Sequence, residues 1–156
     1  MSFRLPLSGT ALASSLLAAA LVGCASAPFT TTVAGPSPTP APNAFECVRN
    51  QIKAVGFSQT SYDTDELRVN ARKNDETHTR PDVNFRRLVD RLEIEVSPGT
   101  EGAVTNISID AKTFAELSTH RGPTEEQEKT SATARDAAQT ILQKCSQPVD
   151  STSVPG

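Results

Sequence analysis

Three stretches of this chain alternate apolar and polar side chains with a period of two, and they constrain the fold more than any other feature. Leu67, Val69 and Ala71 alternate with Arg68, Asn70 and Arg72; Leu92, Ile94 and Val96 with Glu93 and Glu95; and Ile107, Ile109 and Ala111 with Asn106, Ser108 and Asp110. Successive side chains of a strand point to opposite faces, so each stretch has one face for a core and one for water. One-sided strands of this kind belong to antiparallel sheets, since parallel strands are buried on both faces. Asp63-Thr64-Asp65 and Pro98-Gly99-Thr100-Glu101-Gly102 supply the turn chemistry of hairpins, and Phe57–Tyr62, rich in Ser, Thr and aromatics, reads as a fourth strand.

Helical spacing brackets these strands. Phe45, Val48, Ile52 and Val55 fall on one stripe, with Asn43 placed to cap it and Gly56 to stop it. Near the other end, Thr124 and Gln127 have the spacing of a capping box, Glu125 and Glu126 suit a helix N-terminus, and Ala134, Ala137, Ala138, Ile141 and Cys145 share a face. Phe85–Arg91 fits a helical turn and a bulged strand about equally. The pattern predicts an α+β fold of order α-β-β-β-β-α, a four-stranded antiparallel sheet with both helices on its apolar face.

A chain of 156 residues accommodates one domain of ordinary size. Its formal charge is −3, or −4 without Arg4, and no basic patch stands out, which argues against nucleic acid as a partner. The N-terminus is different in kind. Met1–Arg4 carries one positive charge, Leu5–Val22 is apolar and small with no charge, and the run ends in Leu21-Val22-Gly23-Cys24. This resembles the signal peptide and lipobox of bacterial lipoproteins. The resemblance implies cleavage after residue 23, diacylglycerylation of the Cys24 thiol and acylation of the new amine with palmitate-type chains. It also implies attachment to the cell envelope. Ala25, where an aspartate would favour the inner membrane, points to the periplasmic side of the outer membrane. Two or three acyl chains anchor a protein far more firmly than one.

Residues 24–43 read as a lipidated cysteine and a Pro-rich linker, because prolines 36, 38, 40 and 42 alternate with small residues and favour polyproline II. Residues 44–146 form the expected single domain, and residues 147–156 a polar tail. With Cys24 acylated as the resemblance implies, only Cys47 and Cys145 remain, and an oxidising compartment favours a disulfide joining the two helices.

Chemistry-bearing motifs are sparse. His78 and His120 both lie in polar, loop-like segments, and the chain has no nucleophile elbow, P-loop or paired zinc-ligand motif. Neither a metal nor a cofactor is expected. Asn106-Ile107-Ser108 matches a glycosylation acceptor, a chance match in a bacterial strand. Glu93 and Glu95 could approach the spacing of a glycosidase pair, but no Trp and one Tyr make a poor sugar platform. The more informative surface is the polar sheet face carrying Arg68, Asn70, Arg72, Glu93, Glu95, Asn106 and Asp110, which is either a solvated face or a partner-docking surface. The expectation is a non-enzymatic, membrane-anchored binding or scaffolding module for an envelope protein or ligand. The alternatives are a small hydrolase using a loop histidine and a carboxylate, and a carrier holding an apolar ligand behind Phe45, Phe57 and Ile94.

Overall fold

In the computed structural model, residues 28–99 and 105–147 are described. The order is β1 (Thr30–Ser37), α1 (Ala41–Ala54), β2 (Ser58–Asp63), β3 (Arg68–Asp75), β4 (Phe85–Pro98), β5 (Thr105–Thr119), β6 (Gly122–Glu128) and α2 (Ala132–Cys145). All six strands join one antiparallel sheet in the order β1-β5-β4-β3-β2. Strand β6 continues β1 along the same edge of β5: Thr30 faces Lys112, and Glu128 faces the next residue, Thr113.

The expected four-stranded α-β-β-β-β-α arrangement is therefore incorrect; among the described residues six strands form, and the first element there is a strand. Strand β1 lies inside the stretch expected to be linker. The β-branched run Thr30–Val33 starts it, and Pro36 is tolerated because β1 pairs on one side only, along the sheet's rim. The linker expected over 24–43 thus also holds the first turn of α1, which begins at Ala41 after Pro40 rather than at a cap on Asn43. At the other end, Thr124 and Gln127 cap nothing. They lie in β6, reached through a tight turn in which Gly122 adopts φ +112°, where a side chain would be strained. Helix α2 starts eight residues later, at Ala132, with the Ser131 hydroxyl accepting the Ala134 N–H at 2.9 Å. Phe85–Arg91 belongs to a 14-residue strand with an irregularity between Phe85 and Arg87. The bulge puts Phe85 and Leu88 on one face at a spacing of three, and Val89 is buried on the opposite face, which together mimic helical spacing.

The core lies between the helices and the face carrying Val69, Ala71, Leu92, Ile94, Val96, Ile107, Ile109 and Ala111. Helix α1 contributes Ala44, Phe45, Val48 and Ile52, and α2 contributes Ala134, Ala137, Ala138, Ile141 and Cys145. The alanines let α2 approach closely. Cys47 and Cys145 are bonded, with Cα atoms 5.8 Å apart, so the bridge ties the two helices together. Cys24, the apolar leader, most of the Pro98–Gly102 turn and residues 148–156 lie outside the described residues. Among the described residues no helix is long and apolar enough to cross a membrane.

Candidate functional site

Strand register decides which side chains share the uncovered face of the sheet. Ser61, Asn70, Glu93, Asp110 and Thr32 form one cross-strand row, and Asp63, Arg68, Glu95, Ser108 and Ala34 the row on one side of it. The row on the other side runs Ser58, Arg72, Arg91, Lys112, Thr30. Arg68, Asn70, Arg72, Glu93, Glu95 and Asp110 are thus brought together on one face, while Asn106 sits at its margin opposite Ser97 and Pro36.

Their pairings are mostly local. Arg68 reaches Glu95 at 3.2 Å and Glu66 at 3.0 Å, with more than half of each side chain exposed. Asn70 donates to the Ser61 hydroxyl at 2.9 Å, and Asp110 accepts from Thr32 Oγ1 at 2.6 Å. Glu93 receives the Lys112 ammonium at 2.6 Å, diagonally across two rows. Exposed pairs of this kind contribute up to about 1 kcal/mol each.

Beyond these rows the face holds a cluster that the sequence reading did not single out. Glu116 has only 7% of its side chain exposed and faces three guanidinium groups: Arg87 at 3.1 Å, Arg86 at 3.3 Å and Arg72 at 3.8 Å. The hydrogen bonds from Arg87 to Glu116 raise the guanidinium pKa above its usual value. Arg91 is paired with Glu125 and lies over the Phe114 ring, 4.7 Å from its centroid. The signal was present in the sequence: extending the period of two through Thr113–Thr119 puts Lys112, Phe114 and Glu116 on the face of Asp110. The β4 bulge hid the matching positions Arg86 and Arg87.

On the helix side, the upper part of the sheet is covered by the β3–β4 connection. Arg80 forks onto both oxygens of Glu128 and lies over the Phe85 ring at 4.8 Å. His78 is exposed in this connection, edge-on to Phe85 with ring centroids 6.2 Å apart, and His120 is exposed in the β5–β6 turn. Neither imidazole makes a side-chain hydrogen bond among the described residues. Asp90, 4% exposed, accepts from Thr113 Oγ1 at 2.6 Å and Ser131 Oγ at 2.8 Å. Ser131 is thereby occupied as a helix cap, giving its proton to Asp90 and its lone pair to Ala134. This cluster anchors the start of α2, where a carboxylate is favoured by the helix dipole.

Phe45, Phe57 and Ile94 belong to the continuous core, packed with Val48, Ile52, Ile109 and Ile141. Among the described residues no group of three or more His, Cys, Asp or Glu is placed to hold a metal ion. No protein-family model matches this chain, and no curated protein is similar to it.

Proposed function

We propose that this protein is a lipid-anchored module of the bacterial cell envelope that acts by binding rather than by catalysis, through the uncovered face of its sheet. The observation that carries this reading is the face itself. Helices and core occupy one side of five strands, while the other presents ordered rows of charged side chains on a rigid, disulfide-braced scaffold. Sites built on strands hold their geometry better than sites on loops. Off this face, Asp90 and Ser131 hold a helix end, and Arg80 and Glu128 hold the β3–β4 connection. The anchor is Cys24, which fits a periplasm-facing position at the outer membrane.

The test is metabolic labelling with a palmitate analogue followed by envelope fractionation. The wild-type chain should incorporate label and sediment with outer membranes. Cys24→Ala should incorporate none and remain uncleaved by the lipoprotein peptidase. Label entering the Cys24→Ala variant, or wild-type protein free in the periplasm, would overturn the anchored reading.

A further inference from the structure

The position of β1 limits how far the domain can stand from its anchor. Pro28 is already held, its carbonyl accepting from Thr130 N at 2.9 Å, and the Phe29 carbonyl accepts from Gln127 Nε2 at 3.0 Å. Three residues lie between Cys24 and Pro28, and the four peptide units that join them reach at most about 14 Å whatever path they take. An acylated Cys24 lies at the headgroup level, so the β1–β6 edge must lie at the bilayer surface.

The charge pattern says which face follows. The cross-strand row that starts at Thr30, beside the tether, continues as Lys112, Arg91 and Arg72, all cationic. At about 4.8 Å per strand, it carries positive charge about 14 Å out from the tethered strand. Like charges directly opposite one another cost a sheet stability, so this row is not an ordinary pairing pattern. Arg86 and Arg87 extend it into the Glu116 cluster, where three guanidiniums face the buried Glu116 carboxylate and Glu76, one positive charge in excess. Residues 72–91 and 112–129 carry nine Lys and Arg against eight Asp and Glu, whereas the rest of the chain from Cys24 carries five against ten. The rest of the chain is thus net acidic, whereas these two stretches are slightly cationic even with the three glutamates of β6 included.

We propose that the row Lys112–Arg91–Arg72, extended by Arg86 and Arg87, rests on the membrane and takes the phosphates of anionic lipid headgroups. Guanidinium forks match phosphate oxygens, and the surface pairs that now engage Lys112 and Arg91 are weak enough to be exchanged for them. The orientation rests on the reading of Cys24 as acylated; the chemistry rests on the charges alone.

The experiment uses the chain from residue 24 with Cys24→Ser, so that no acyl chain contributes. Its sedimentation is measured with vesicles of phosphatidylcholine alone and of phosphatidylcholine with about one-third phosphatidylglycerol. Salt is held near 0.1 M, where the Debye length of about 10 Å confines the readout to the apposed face. Binding should be about tenfold stronger on the anionic vesicles and should fall as salt rises. The double variant Arg72→Gln/Lys112→Gln should lose about tenfold or more, and Arg86→Gln/Arg91→Gln a similar amount, each checked for an unchanged melting curve. Lys53→Glu, on the exposed side of α1 and off the sheet face, should bind as the wild type does. Equal binding to both vesicles, or a loss from Lys53→Glu as large as from Arg72→Gln/Lys112→Gln, would overturn the proposal. Palmitate labelling of Cys24 reports separately on the anchor, so the two failures are distinguishable.

Discussion

Asp90→Ala is the perturbation whose cost can be worked out most fully. The carboxylate is 4% exposed and accepts from Thr113 Oγ1 and Ser131 Oγ, while Thr113 Oγ1 in turn accepts the Ser131 N–H at 2.9 Å. Alanine removes two charge-assisted hydrogen bonds and leaves the Thr113 hydroxyl, on a residue 1% exposed, without an acceptor. A stranded buried donor costs about 1–3 kcal/mol, and the lost interaction with the α2 N-terminus adds about 0.3–1 kcal/mol. Relief from burying a charge offsets part of this, which leaves a net loss of about 2–3 kcal/mol. Asp90→Asn keeps an acceptor for both hydroxyls and should lose only about 1 kcal/mol. Urea unfolding of the oxidised protein, followed by far-ultraviolet circular dichroism, gives both values if the slopes match that of the wild type. Combining Asp90→Ala with Ser131→Ala should cost clearly less than the two single losses together, because each breaks the same network. Full additivity, or Asp90→Asn as costly as Asp90→Ala, would refute the reasoning.

Removing the clasp should cost about 2–5 kcal/mol in Cys47→Ser or Cys145→Ser, with the double variant no worse than either, because the bond closes a loop of 98 residues; additive losses in urea unfolding would count against it. Arg68→Glu should cost under about 1 kcal/mol, since Arg68 and both its carboxylate partners are more than half exposed; a drop of several kcal/mol would mean that the face is not solvated. The hydrogen bonds from Arg80 hold the Glu128 carboxyl below its ordinary value of 4.5. That pair therefore contributes stability above the ordinary value and loses it as pH falls through the lowered one. The stability gap between wild type and Glu128→Gln should be present at neutral pH and close in stronger acid, and a gap independent of pH would contradict the assignment.

The one-sided strands were legible because their alternation is uninterrupted: Val69, Ala71, Leu92, Ile94, Val96, Ile107, Ile109 and Ala111 all lie in the core. The face opposite was legible for the same reason, as were the stripe of α1 and the buried face of α2. What escaped was governed by context. The prolines around Thr30–Val33 outweighed three threonines and a valine in the reading, although a strand that pairs on one side only accommodates Pro36. Thr124–Gln127 satisfies a local helix signal, yet Glu125 pairs with Arg91, a partner 34 residues away that no local pattern records. The bulge at Phe85–Arg87 shifts the period by one, which concealed both the length of β4 and the convergence of Arg86 and Arg87 on Glu116. The fold therefore gained two strands over the sequence reading, and the face gained its most cationic part.

The central claim, that the uncovered sheet face is the working surface of an anchored binding module, is tested most directly by site-specific photocrosslinking in intact envelopes. A photoreactive residue replaces, in separate strains, Asn70 on the uncovered face and Lys53 on the exposed side of α1. The account predicts discrete crosslinked products, to lipid or to protein, from position 70 and only background from position 53. Products confined to position 53, or equal and diffuse labelling from both, would contradict it.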